Sequence, residues 1–177
     1  YKFPSAPDSL VANFIEAFNG LDVDKFTDDL LDADLFRFKQ LFADPHGPQG
    51  DWFYADEVVF LENLFSQEAF VNELGATVPG ISSLSLFLDG SVSAWVESDD
   101  VDSPDCWRRE FLVTLDVVQP GQILAIRNSV YIYVSRETVE LEGEDAWFYR
   151  IAGIVEMESA LKGTDDSTWG SLRAQYR

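Results

Sequence analysis

The chain has 177 residues, 46% hydrophobic and 14% aromatic, which is ample apolar mass for a packed core and too much for a disordered segment. It carries 32 acidic residues against 12 basic ones, a net charge of −20, and a field of that sign repels nucleic-acid phosphates and anionic lipid headgroups. The acidic excess is read as a solvated surface, with a cationic ligand or a salty habitat as the functional alternatives.

In chain order, Asp8 is an N-cap candidate, followed by Leu10, Val11, Phe14, Ile15 and Phe18 on one face. That spacing predicts a helix of about three turns, stopped by Gly20. A second short helix is predicted from Asp22, with Val23, Phe26 and Leu30 on one side. Leu35–Phe42 reads as a strand that turns Phe36 and Phe38 to one face. Prolines and glycines make Asp44–Gly50 a loop. A helix follows from Asp56 to Phe65, with a continuation from Ser66 to Leu74 that Gly75 and Pro79-Gly80 end. Ser82–Ser98 is a strand signal broken at Asp89-Gly90, either a hairpin or one bent strand with a bulge. Asp99–Asp105 is an acidic loop.

The chain is organised around Trp107–Met157. Three long strands are predicted there: Trp107–Val118, Ile123–Arg136 and Asp145–Met157. Gln119-Pro120-Gly121 and Glu142-Gly143-Glu144 mark the turns between them. Trp107, Arg109, Phe111, Val113, Leu115 and Val117 share a face. The next two strands carry large apolar groups on both faces, so one face is expected to meet the helices and the other a partner. Trp169, Leu172 and Tyr176 are spaced for a short terminal helix. With no repeat and no linker, residues 1–177 are read as one domain.

Cys106 is the lone cysteine, so no intrachain disulfide is possible, and Asp102 and Asp105 beside it do not favour a reactive thiol. His46 is the lone histidine and is read as a loop residue; a zinc site built on a histidine pair is excluded within one chain. Asp28-Asp29, Asp99-Asp100-Val101-Asp102 and Asp165-Asp166 lack calcium-loop spacing, so they are read as solvated, with no metal or cofactor expected. There is no glycine-rich phosphate loop and no Gly-x-Ser-x-Gly elbow. No apolar run approaches the roughly 20 residues of a membrane helix. Because the chain opens on Tyr1, residues upstream are expected to have been removed or left out.

The runs Leu10-Val11-Ala12-Asn13-Phe14, Phe26-Thr27-Asp28-Asp29-Leu30-Leu31-Asp32 and Phe36-Arg37-Phe38 resemble the start of the nuclear-transport-factor-2-like (NTF2-like) fold, also called SnoaL-like or cystatin-like. Trp147-Phe148-Tyr149-Arg150-Ile151 followed by Thr168-Trp169-Gly170-Ser171-Leu172-Arg173 resembles the end of a poorly understood bacterial subgroup, often secreted or lipoprotein-anchored. The resemblance spans nearly the whole chain. It implies an α+β, NTF2-like cone: a strongly curved antiparallel sheet wrapped around N-terminal helices, with a pocket at the wide end. Some relatives are enzymes, such as ketosteroid isomerase and scytalone dehydratase, while others bind or assemble, so the fold alone does not deliver function.

The aromatic set Trp95, Trp107, Phe111, Trp147 and Tyr149 falls on strands expected to be neighbours. It reads either as an apolar pocket for a small apolar ligand, with Arg109 as polar anchor, or as ordinary core plus a dimer face. Arg109 interrupts an apolar face and calls for a carboxylate, Glu156 or Asp56. An isomerase-like site would draw on Asp56, Glu57 or Glu156 with Tyr131 or Tyr149. The leading expectation is a non-catalytic small-molecule-binding or assembly module; the alternative is an isomerase or dehydratase using a pocket carboxylate. Tyr131, Tyr133 and Ile123 lie opposite Leu124, Ile132 and Val134 and are expected to form a two-fold homodimer face.

Overall fold

The computed structural model describes residues 1–48, 50–158 and 167–177. Helix α1 spans Pro7–Gly20, with proline at its start, where a missing N–H costs nothing, and Leu21 in the left-handed region (φ 57°) as its cap. It thus begins ahead of the expected Asp8 cap, which leaves the Asp8 carboxylate for other partners. Helix α2, Val23–Lys25, is set by Asp22, which accepts from Lys25 N at 3.0 Å, and it widens into a π turn over Phe26–Leu30. Strand β1 is Arg37–Gln40, β2 is Trp52–Phe53 and helix α3 is Tyr54–Phe65.

The continuation expected from Ser66 to Leu74 is not helical. Strands β3 (Phe70–Val71) and β4 (Thr77–Val78) form a separate two-stranded ribbon instead. Gln67 leaves the helix at φ 61°, and Gly80 backs onto it so closely that a Cβ there would lie 2.0 Å from the Gln67 carbonyl oxygen. Tertiary contact overrides local helix propensity at this point.

The remaining elements are β5 (Ser83–Asp89), β6 (Val96–Glu97), β7 (Trp107–Gln119), β8 (Gln122–Leu141), β9 (Glu144–Met157) and α4 (Trp169–Gln175). The main sheet runs β2-β1-β9-β8-β7-β5, with β6 also on β7. β5 and β6 follow one another along the same edge of β7, Asp89 opposite Leu112 and Val96 opposite Arg108. The hairpin is therefore excluded, and residues 90–95 part the expected single bent strand into two. The long strands are antiparallel, and β1 adds a parallel pairing to β9. Gly121 (φ 81°) allows the turn after Pro120, while Glu142 (φ 55°) and Gly143 (φ 86°) supply the two left-handed residues of a tight hairpin. Opposite Tyr133 and Val134 the register shifts by one residue, so that Ala152 is an extra residue in β9 and bends that strand. This is the α+β order that the NTF2-like resemblance implies: helices first, then a long meander.

One sheet face packs on the helices. Phe111, Val113, Leu115, Val130, Ile132 and Ile154 meet Leu10, Phe14, Phe18, Leu61 and Leu64 in a shared core. Helix α4 enters the middle of it. Trp169, Leu172, Arg173 and Tyr176 are at most 1% exposed, and the Trp169 ring lies 6.1 Å from Phe18 and 6.4 Å from Phe14. Glu57 of α3 accepts two hydrogen bonds from Arg173, 2.7 Å from Nε and 2.6 Å from Nη2, and a third from Trp52 Nε1 at 2.8 Å. The Arg173 guanidinium lies 4.1 Å from the centre of the Phe38 ring.

The outer face is partly covered by the chain itself. Tyr133 is 3% exposed and clusters with Cys106, Ala152 and Val155. The acidic segment 99–105 straps this cluster: Asp102 pairs with Lys39 and with Arg37 (3.5 Å) on β1, and Asp99 with Arg108 (3.0 Å) on β7. Tyr133 is therefore not available to a partner, which corrects its place in the expected homodimer face. The alternation on β8 sent Tyr133 to the right face, but could not show that residues far along the chain would cover it. Burial, aided by the Asp32 and Asp105 carboxylates, pushes the Cys106 thiol up to about 11.

Three outcomes follow from this architecture. Arg173→Ala strands the Glu57 carboxylate in the core, so urea unfolding is expected to show a loss of roughly 3–5 kcal/mol. The Lys39 hydrogen bond and charge hold the Asp102 carboxyl below its ordinary range, so its contribution is complete above that range and is lost as pH falls through the lowered value. Asp102→Asn is expected to raise the rate of Cys106 labelling by dithiodipyridine at neutral pH by roughly three- to tenfold, with the fold retained. In the unsubstituted protein, the labelling rate divided by the thiolate fraction should rise on acidification below about pH 4, whereas for a freely accessible thiol that quotient stays constant.

Candidate functional site

The seven residues singled out in the sequence lie on the helix-facing side of the sheet, but they do not line one pocket. Trp95 packs on Phe111 at 5.9 Å between ring centres and donates from Nε1 to Asp8 at 2.9 Å. Arg109 donates from Nη1 to Asp8 at 2.8 Å and from Nε to the Gly90 and Ser93 carbonyls at 3.0 Å each. Asp8 is its partner, not Glu156 or Asp56. Chain excursion 90–95, which interrupts the β5–β6 edge, is folded around this guanidinium. A Cβ on Gly90 would sit 2.9 Å from Arg109 Cζ. Arg109 thus anchors a loop rather than reaching into a cavity.

Glu156 is wholly buried. Oε1 accepts from Asn128 Nδ2 and from the Trp169 backbone N–H at 2.6 Å. Oε2 accepts from Gln40 Nε2 at 2.8 Å and from the Gly170 N–H at 2.9 Å. The carboxylate ties β1, β8 and β9 to the start of α4. Gln40 is clamped in turn: a Cβ on Gly170 would lie 2.2 Å from its amide carbon. Thr168 completes the junction, accepting from Ser171 N at 2.8 Å and donating to Asp44.

Trp107 and Trp147 flank Arg136, whose guanidinium carbon is 5.7 Å and 4.4 Å from the two ring centres. Trp147 is 47% exposed. Tyr149 is buried in the core, and its backbone N–H donates to the Pro4 carbonyl at 3.0 Å. The isomerase candidates are occupied as well. Glu57 is taken by Arg173 and Trp52, and Asp56 accepts from Phe53 N at 2.9 Å and pairs with Arg177 at 2.8 Å. Tyr131 lies on the outer face under Arg108 (5.0 Å), away from all three carboxylates. His46 is exposed in its loop.

Two open cavities are lined by described residues. One of about 580 Å³ is lined by the end of β1 and the loop after it, including Phe38, Lys39, Leu41, Pro45 and Asp51. The other, about 250 Å³, lies on the outer face beside Phe87, Leu112, Thr114 and Arg127. None of the seven residues lines either one. Among the described residues no group of three His, Cys, Asp or Glu is placed to hold a metal ion, and no helix is long and apolar enough to cross a membrane. The Asp165-Asp166 pair lies outside the described residues.

Sequence reasoning missed Glu57–Arg173 as a core pair and Arg136 as the residue between the tryptophans. Alternation could have found Arg136, because it shares the face of Val134 and Ile132 opposite Trp107. Nothing in the sequence pairs Glu57 with a residue 116 positions away.

No protein-family model matches the sequence, and no curated protein matches it. Solved structures similar to this chain include an NTF2-like superfamily protein from Salmonella enterica serovar Typhimurium, 12% identical, with a TM-score of 0.49 over 90% of this chain and 92% of that one. AusH from Aspergillus nidulans is 10% identical, with a TM-score of 0.48 over 94% of each chain. PrhC from Penicillium brasilianum is 10% identical, with a TM-score of 0.48 over 87% of this chain and 80% of that one.

Asp8 is largely exposed, so Asp8→Ala is expected to cost no more than about 1 kcal/mol in thermal or urea unfolding. Arg109→Ala removes the donor from the Gly90 and Ser93 carbonyls as well, and should cost roughly 1–3 kcal/mol. Equal costs for the two substitutions would show that the loop anchoring contributes nothing.

Proposed function

We propose that the chain, one NTF2-like domain over residues 1–177, is a non-catalytic binding or assembly module. The observation that carries this reading is the saturation of its buried carboxylates. A general base needs a lone pair turned to a substrate proton. Glu156 spends both oxygens on four donors of its own chain, and Glu57 spends its oxygens on three. The interior where a cone-type enzyme keeps its substrate is filled by Trp169, Arg173 and Tyr176. Small-molecule contact then falls to the rim, where Trp107, Arg136 and Trp147 lie.

The assembly half of the reading is a homodimer through the uncovered part of the outer face. Phe87 (60% exposed) and Ile123 (64%) support it, with Leu112 and Tyr131 continuing the face beyond Phe87; Tyr133 plays no part. Salt screens the like charge of two copies beyond about 8–10 Å, while apolar contact is short-ranged.

A β,γ-unsaturated ketosteroid offered to the protein is expected to isomerise no faster than in buffer. Turnover that Glu156→Gln abolishes would overturn the non-catalytic reading. Sedimentation at micromolar concentration and physiological salt is expected to give twice the chain mass, returning to one chain with Phe87→Glu. A single-chain mass for the unsubstituted protein would remove the assembly half.

A further inference from the structure

We propose that Trp107, Arg136 and Trp147 form a clamp for the carboxylate of a small aromatic acid. The inference rests on the binding half of the reading above and names its ligand class. Three neighbouring strands build the clamp. Arg136 on β8 stands opposite Tyr149 of β9, and Trp147 lies two residues along that strand. Trp107 of β7 stands opposite Val134, two residues back on β8. All three side chains share one sheet face, at the diagonal spacing that lets long side chains meet.

Charge accounting singles out Arg136. In a chain of 32 acidic residues, every other described arginine has a carboxylate within ion-pair distance: Arg37, Arg108, Arg109, Arg127, Arg150, Arg173 and Arg177. Among the described residues, Arg136 has none. Its neighbour Glu137 turns to the other face and bonds Arg150. Arg136 is exposed, with Trp147 and Trp107 indoles at 4.4 Å and 5.7 Å from its guanidinium carbon. The ring contacts favour one orientation of the guanidinium over the others. Its N–H edge remains free, and that edge matches a carboxylate through two parallel hydrogen bonds. Trp147, 47% exposed, offers a flat apolar surface beside the fork on which the ring of the acid can lie.

The same features set the ligand's charge. A net charge of −20 penalises polyanions, and one arginine cannot offset several phosphates. A single carboxylate carries the smallest penalty, and salt screens the distant acidic groups. The aromatic part supplies affinity that the weak long-range field cannot.

Calorimetric titration of the full chain with naphthoate, and with naphthamide as its neutral counterpart, tests the clamp. Naphthoate is expected to saturate one site per chain, with naphthamide about tenfold weaker or more, as for loss of a charge-assisted bidentate contact. Arg136→Gln should lower naphthoate affinity to the naphthamide level and leave naphthamide unchanged. Arg136→Lys keeps the charge but lacks the fork, and should recover only part of the loss. Trp147→Ala should weaken both compounds. The near-ultraviolet circular dichroism of each variant reports whether the strands stay packed. Equal affinity for the two compounds, an undiminished Arg136→Gln variant, or no saturation by about 10 mM naphthoate overturns the proposal. Saturable uptake of the neutral probe Nile red without naphthoate binding would overturn the clamp and leave the binding module standing. Ketosteroid turnover would remove the non-catalytic reading and leave the clamp untouched.

Discussion

The Glu57–Arg173 pair is the contact on which the interior depends. Both groups are buried, and moving two charges out of water costs several kcal/mol each. The contacts around the pair offset that cost, although Arg173 Nη1 is buried without a hydrogen-bond partner among the described residues. Two hydrogen bonds join the groups, Trp52 adds a third to the carboxylate, and Phe38, Phe60 and Trp169 carry their rings against the guanidinium. The pair locks α4 to α3. With α4 in place, Trp169 and Tyr176 are buried in the space under the sheet. Tyr176 is fixed at its far end by Gln119 Nε2 (2.6 Å) and the Pro79 carbonyl (3.0 Å), and burial raises its phenol pKa.

Glu156 does for the start of α4 what Glu57 does for its middle. A buried carboxylate without a cation is tolerable only when its lone pairs are filled. Here they are filled by donors from β1, β8 and α4. The same group that looks like a catalytic acid in a sequence becomes a joint in the structure. Chemistry and architecture compete for the same lone pairs, and in this chain architecture has them.

The acidic excess is likewise put to structural use. Asp102 and Asp99 fasten the strap over Tyr133 and Cys106, Asp8 holds Arg109 and Trp95, and Asp22 caps α2 and accepts from the Tyr1 hydroxyl at 2.7 Å. These exposed pairs are individually weak. Their effect is to direct nearly every arginine toward a carboxylate, which sets apart Arg136, the arginine without one among the described residues.

Local pattern determined much of this protein. The alternation of Trp107–Val118 and the two glycine turns specify long paired strands, because strand period and turn chemistry are local properties. The helix-face spacing of Leu10, Phe14 and Phe18 did the same for α1. The α+β order and the inward face of β7 follow from these alone. Tertiary structure decided the rest. It ended α3 at Phe65 by pressing Gly80 against Gln67. It gave Arg109 to Asp8, covered Tyr133 with a strap, and divided the seven site residues among a loop anchor, a helix joint, the core and the exposed strand ends. Each of these outcomes joins residues far apart in the chain. A one-dimensional pattern records which face a side chain takes, but the partner it meets there depends on how distant elements pack.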